Sequence, residues 1–138
     1  MTDLIEEQYT LTVLRDGETG LPRAMTIRLG GQYGKIQSPP DGRPAHVLFD
    51  EQGRVKQMGW YHQNTYHRAD GPALLKVNPD NGVVYYEEYR LHGKTHRSYS
   101  EPAWTERDPR TGEVQSEYYF VDDEPVEPRL PPRLDLTP

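Results

Sequence analysis

The chain has 138 residues, with 16 basic and 22 acidic side chains giving a net charge of −6 at pH 7, no cysteine, and only 33% apolar residues. That length fits one domain with a thin core, the missing thiols exclude disulfide frameworks and thiolate metal sites, and the acidity opposes a nucleic-acid platform. A mean hydropathy of −0.95 would suit disorder, but ten Tyr, two Trp and two Phe supply large amphipathic surfaces that disordered chains lack.

The first residues, Met1 to Glu7, carry neither the basic start nor the apolar stretch of a secretion signal, and no apolar run reaches the roughly 18 residues of a membrane helix. A cytoplasmic location is the expectation. Next come two strand-like runs, Tyr9 to Arg15 and Met25 to Leu29, around the turn cluster Asp16-Gly17-Glu18-Thr19-Gly20. Gly30-Gly31-Gln32-Tyr33-Gly34 lacks the Lys-Ser/Thr ending of a phosphate loop and reads as a bend.

From Asp41 onward the chain repeats. Gly20, Gly53, Gly82 and Gly112 are separated by 33, 29 and 30 residues, a period that marks stacked supersecondary units. Asp41-Gly42-Arg43-Pro44-Ala45, Asp70-Gly71-Pro72-Ala73 and Pro102-Ala103 open successive units. Val55, Val84 and Val114 lie two residues after the repeat glycines, and Trp60, Tyr89 and Tyr119 lie seven after. In each turn an Asx side chain can bond its own backbone and the closing glycine accepts positive φ. Each unit therefore reads as a β-hairpin. Thirteen Pro and twelve Gly leave no sustained helical spacing.

The expected fold is all-β: about four consecutive antiparallel hairpins, giving about eight strands in an extended, twisted meander sheet. The domain spans 1–124, with units at about 9–35, 41–69, 70–97 and 98–124, the first degraded. Val83 to Arg90 and the run ending at Phe120 are expected as unbroken strands. A Pro-rich tail, 125–138, is expected to be extended and unable to prolong a strand ladder. Its Pro131-Pro132, with Arg129 and Arg133, has the look of a ligand for aromatic-lined grooves as well as of a loose strap.

Tyr86-Glu87-Glu88-Tyr89 followed by Gly93-Lys94-Thr95-His96 resembles the aromatic, glycine, lysine and histidine pattern of MORN repeats and their bacterial variants, over roughly residues 41–121. The resemblance implies hairpin units in an elongated antiparallel sheet, with scaffolding and partner-binding roles and, in some members, proposed lipid binding. The units here are longer than the usual repeat, Arg68 and Arg97 stand where glycine is common, and Val126-Glu127 replaces the His-Arg pair of earlier units. The His-Arg and Asp-Gly-Pro-Ala punctuation also resembles that of small bacterial and phage proteins.

The chemistry-bearing groups are few. His67-Arg68 and His96-Arg97 occupy equivalent positions, so they should share one rim near Asp70, able to hold a phosphate or carboxylate or simply to satisfy loop carbonyls and neighbouring acids. The spacings His62 to His67 and His92 to His96 fall in loops without a fixed carboxylate, so no metal is expected. Ser38, Ser98, Ser100 and Ser116 lack a nucleophile elbow. The adjacent acids Glu87-Glu88 point to opposite faces, and Asp122-Asp123-Glu124 reads as edge protection. No catalytic residue and no cofactor are expected.

What remains is an aromatic surface. Trp60, Tyr89 and Tyr119 are expected to stack across adjacent hairpins on one face, with Tyr61 and Phe120 on the other. With Tyr86, His67, Arg68, His96 and Arg97 they form the candidate partner-binding set. The leading expectation is a non-enzymatic protein-interaction module, with self-association through open sheet edges as an accompaniment and neither membrane nor nucleic acid as a partner. The alternative is a small acidic inhibitor, of phage or mobile-element type, covering a basic surface of a nucleic-acid-processing enzyme. Its candidate residues are Asp122, Asp123, Glu124 and Glu127, because residues 101–138 hold 4 basic and 10 acidic groups. A hydrolase with a His/Arg rim site is third.

Overall fold

The computed structural model describes residues 4–128. Among them there is no helix, and fourteen strands run in order: β1 (Tyr9–Arg15), β2 (Pro22–Leu29), β3 (His46–Phe49), β4 (Val55–Gly59), β5 (Tyr61–His62), β6 (Thr65–Tyr66), β7 (Leu74–Val77), β8 (Val84–Glu88), β9 (Arg90–Leu91), β10 (Lys94–Thr95), β11 (Trp104–Arg107), β12 (Val114–Tyr118), β13 (Phe120–Val121) and β14 (Glu124–Pro125). Eight of them form one sheet in the order β1-β2-β3-β4-β7-β8-β11-β12, with every pairing antiparallel.

The long hairpins close as their turn residues dictate. Gly20, Gly53, Gly82 and Gly112 have φ between 73° and 82°, a region costly for residues with a Cβ. Asp16, Asp50, Asn78 and Asp108 each accept a backbone N–H from two residues on. Two N–H bonds, then Arg23, hold the Asp16 carboxyl down to about 2. Each hairpin carries a register shift near its turn, at Leu14/Arg15, Leu48/Phe49, Lys76/Val77 and Glu106/Arg107.

The remaining six strands are three small hairpins, β5/β6, β9/β10 and β13/β14. The two runs expected as unbroken are therefore interrupted at Tyr89 and Tyr119, and the second unit breaks in the same way at Trp60. Gln63-Asn64, His92-Gly93 and Asp122-Asp123 all have positive φ, the signature of two-residue type I′ turns. Pro125 is a further correction, because it pairs with Phe120. In a two-residue hairpin that position lies outside the hydrogen-bonded pair, so the missing N–H costs no ladder bond. Residues 129–138 of the expected tail lie outside the described residues.

The small hairpins form a second row beside the sheet. Each is tied to the preceding unit by the same two links. One is donated by the second turn residue: Asn64 N–H to Ile36 C=O, Gly93 to Tyr66 and Asp123 to Thr95. The other runs back, from Ser38 N–H to Tyr61 C=O, Arg68 to Arg90 and Arg97 to Phe120. The degraded first unit thus lacks a small hairpin but supplies Ile36–Ser38 in its place. Ala45, Ala73 and Ala103, the residues after each unit-opening proline, have no exposed surface at all and form the regular core.

Candidate partner-binding surface

Register assigns the aromatic residues to faces. The pairs His46↔Gly59, Leu74↔Gly59, Leu74↔Glu88, Trp104↔Glu88 and Trp104↔Tyr118, continued by one residue, place Ala45, Trp60, Ala73, Tyr89, Ala103 and Tyr119 in one row on one face. Trp60 N–H donates to Ala73 C=O and Tyr89 N–H to Ala103 C=O, which fixes that row. Trp60, Tyr89 and Tyr119 consequently sit on every second strand, about 9.6 Å apart at the usual strand spacing. They do not stack on one another, contrary to the sequence expectation, and an alanine strand separates each pair.

Arginine faces the rings instead. The Arg68 guanidinium lies 3.8 Å from the Trp60 ring centroid, and that of Arg97 lies 3.9 Å from Tyr89. Each is anchored by a donated bond to a loop carbonyl, Arg68 to Pro72 and Arg97 to Pro102, both at 3.2 Å. Acids complete the hold, with Asp70 at 3.1 Å from Arg68 and Glu101 at 3.0 Å from Arg97. Trp60 is buried and donates its indole N–H to Gly42 C=O at 2.8 Å. The fourth unit has Val126-Glu127 here, and Tyr119 Oη donates to Glu117 at 3.4 Å.

The two histidines are positioned by the second row. His67 Nδ1 accepts the N–H of His92 at 2.9 Å, and His96 Nδ1 accepts that of Asp122 at 3.1 Å. In the first unit Gln37 Oε1 accepts the N–H of Gln63 at 2.9 Å in the same role. His67 lies between His62 and His92, with ring centroids at 5.7 and 4.4 Å. Burial, then the neighbouring imidazoles, hold its pKa below the ordinary value.

Of the expected rim, Arg68, Asp70, His96 and Arg97 come together, while His67 turns instead toward His62 and His92. A recess of about 350 Å³ opens between the second and third units, lined by Arg68, Asp70, Tyr89, Leu91, His96 and Arg97. It combines two guanidinium edges with an aromatic wall and one carboxylate. A second basin of about 490 Å³ is apolar, lined by Val55, Met58, Leu75, Val77, Pro79 and Val84, with the Arg54–Asp80 ion pair at 2.9 Å nearby. Val55 and Val84, two residues after Gly53 and Gly82, were its visible signal in the sequence.

Tyr61 and Tyr86 lie on the opposite face. Tyr61 stacks on Tyr66 with centroids 4.5 Å apart, and both rings cover Gly59, where a Cβ would come within 3.0 Å of each. The equivalent of Gly59 in the next unit is buried Glu88, which accepts Tyr86 Oη and Arg90 Nε at 2.8 Å and Thr95 Oγ1 at 3.0 Å. Burial, then the bond to Glu88, raise the Tyr86 pKa. Glu87 points to the other face and pairs with Arg107 at 3.2 Å. Trp104, which sequence reasoning left aside, lies between Tyr86 and Tyr118 at 5.8 and 4.6 Å.

The acidic candidates cap the last unit. Asp122 and Asp123 are the turn residues of β13/β14, Glu124 is in β14 and Glu127 follows it, all exposed. Asp123 Oδ1 accepts Thr95 N–H at 2.6 Å, so part of this acidity is structural. No group of three or more His, Asp or Glu among the described residues could hold a metal ion, and no helix among them is long and apolar enough to cross a membrane. No family model, curated protein or solved structure matches the chain.

Proposed function

We propose that this chain is a non-catalytic protein-interaction module, a MORN-like hairpin repeat whose extended sheet offers the arginine-and-aromatic face to a protein partner. The observation that carries this reading is the repeated Arg68–Trp60 and Arg97–Tyr89 stack beside the recess containing Leu91 and His96. Arginine and aromatic side chains held rigidly by their neighbours are the residues that dominate binding energy at interfaces. The arginines and histidines are also committed to carbonyls, acids and backbone N–H groups, which suits presentation better than proton transfer. A cytoplasmic setting agrees with the cysteine-free composition, and open sheet edges would allow self-association.

The test is affinity capture from the native host with the wild type and with Leu91→Asp/Arg97→Glu, after thermal melting shows both folded. Loss of a captured protein from the variant supports the reading. A protein captured equally by both overturns it.

A second reading rests on a different observation. Residues 101–128 hold nine acidic and two basic side chains, concentrated on the last unit, and such a surface suits a basic target such as the nucleic-acid-binding groove of an enzyme. Capture that disappears in about 0.5 M salt, and in Asp122→Asn/Glu124→Gln/Glu127→Gln while surviving Arg97→Glu, selects it.

A further inference from the structure

The sheet has two edges, and they are built differently. At one end β12 places Glu117 on its outward-facing backbone position, with Glu113 and Asp122 to Glu124 beside it. Charges on an edge strand discourage pairing with a second chain, and two such ends would repel. At the other end β1 reads Tyr-Thr-Leu-Thr-Val-Leu-Arg, seven residues without Pro or an acid, and exposes 51% of Leu11 and 62% of Leu14. Among the described residues no strand lies beyond it.

Hydrogen bonding fixes which groups β1 presents. Gly30 N–H donates to Gln8 C=O, whereas Ile27 N–H points away from β1 to Ala45 C=O. Since Leu11 is opposite Ile27, the Leu11 N–H and C=O face outward. By the antiparallel alternation so do those of Tyr9, Val13 and Arg15.

The geometry points to β1 as a self-complementary edge that pairs antiparallel with β1 of a second copy about a two-fold axis at Thr12, fusing two sheets into one. This deepens the edge association named under the proposed function and does not depend on the aromatic face. In this register Leu11 faces Val13 of the other copy, Tyr9 faces Arg15, and Thr12 faces Thr12. All four outward positions are then used, for about eight hydrogen bonds. The opposed pairs include aliphatic with aliphatic, threonine with threonine and aromatic with cation, each favourable, with Thr10 facing Leu14 as the remaining pair, and no like charges meet within the strand. A perpendicular two-fold axis keeps like faces together, so the row beginning Leu11, Ile27, Ala45 and Trp60 would run on across the junction.

The full chain is examined by light scattering over a concentration series, expecting a mass of twice the 16.0 kDa of one chain that falls to one chain in Leu11→Lys/Val13→Lys. Because the chain has no cysteine, Thr12→Cys supplies a second readout that does not need a destabilising change. Residues facing one another in a non-hydrogen-bonded pair have Cα atoms about 4.5 Å apart, within disulfide reach. Mild oxidation should therefore crosslink Thr12→Cys into a dimer and leave Leu11→Cys largely monomeric. A monomer at every concentration, a dimer unaffected by Leu11→Lys/Val13→Lys, or crosslinking through Leu11→Cys alone overturns the proposal. Partner capture measured on the same Thr12→Cys sample separates the two ideas. Capture without a dimer refutes only the edge pairing, and a dimer without capture refutes only the partner-binding surface.

Discussion

The backbone N–H of His92 donates to Nδ1 of His67 at 2.9 Å, while the two imidazole rings lie 4.4 Å apart. Accepting at Nδ1 requires that nitrogen to be unprotonated, so this link between the second and third units exists only with neutral His67. The ring also faces His62, which leaves no carboxylate in contact to favour the charged form.

A pH dependence follows from this. Burial, then His92 and His62, lower the folded His67 pKa, so the unfolded chain binds a proton first. The stability from neutral His67 is complete above the unfolded pKa of about 6.5 and declines as pH falls toward the folded value. His46, lowered by burial and then by Arg28, acts in the same direction. Melting temperature should fall between about pH 7.5 and pH 5.5. His67→Gln should flatten that fall with little loss at the higher pH, since Gln37 already performs this role for Gln63. An unchanged pH profile in His67→Gln would show that the imidazole is not responsible.

The turn glycines were legible because positive φ leaves few alternatives to glycine, and all four show it. The Pro-Ala openings were visible as repeats, but their complete burial was not, because alanine carries no strong hydrophobic signal. The small hairpins escaped because limbs of two residues are too short to show alternation. Their only trace was the dipeptides Gln63-Asn64, His92-Gly93 and Asp122-Asp123. The aromatic row was identified on the right positions and given the wrong contacts. Spacing along the chain put one ring in each unit, but the strand count between units, which sets their separation, depended on the intervening alanine strand.

Glu88 and Gly59 occupy equivalent positions with different surroundings, which makes their exchange informative. Glu88→Gly alone removes the acceptor for Tyr86, Arg90 and Thr95 and should cost about 3 kcal/mol, since it strands a partly buried guanidinium. Adding Arg90→Tyr and Thr95→Tyr recreates the Gly59, Tyr61 and Tyr66 arrangement and should recover more than half of that loss. Arg90→Tyr/Thr95→Tyr with Glu88 retained should be the least stable of the set, because a side chain at this position meets both rings. Urea denaturation of the four proteins measures the coupling. Additive effects would show that the two units do not use interchangeable packing solutions.

Gly71 backs the Arg68 side chain, and the two should be coupled. A Cβ at Gly71 would lie 2.9 Å from Arg68 Cζ, so Gly71→Ala must shift the guanidinium from its place against the Trp60 ring, weakening a stack worth about 1 kcal/mol and the bond to the Pro72 carbonyl. Gly71 does not need positive φ, so nothing in the backbone opposes alanine. With Arg68 shortened by Arg68→Ala, the same Gly71→Ala substitution should become neutral or stabilise by up to about 0.5 kcal/mol through the restricted unfolded chain. A double-mutant cycle in urea decides the matter. Equal effects of Gly71→Ala in both backgrounds would mean that the guanidinium is not held against Gly71 in solution, leaving the Arg68–Trp60 stack to rest on Pro72 and Asp70 alone.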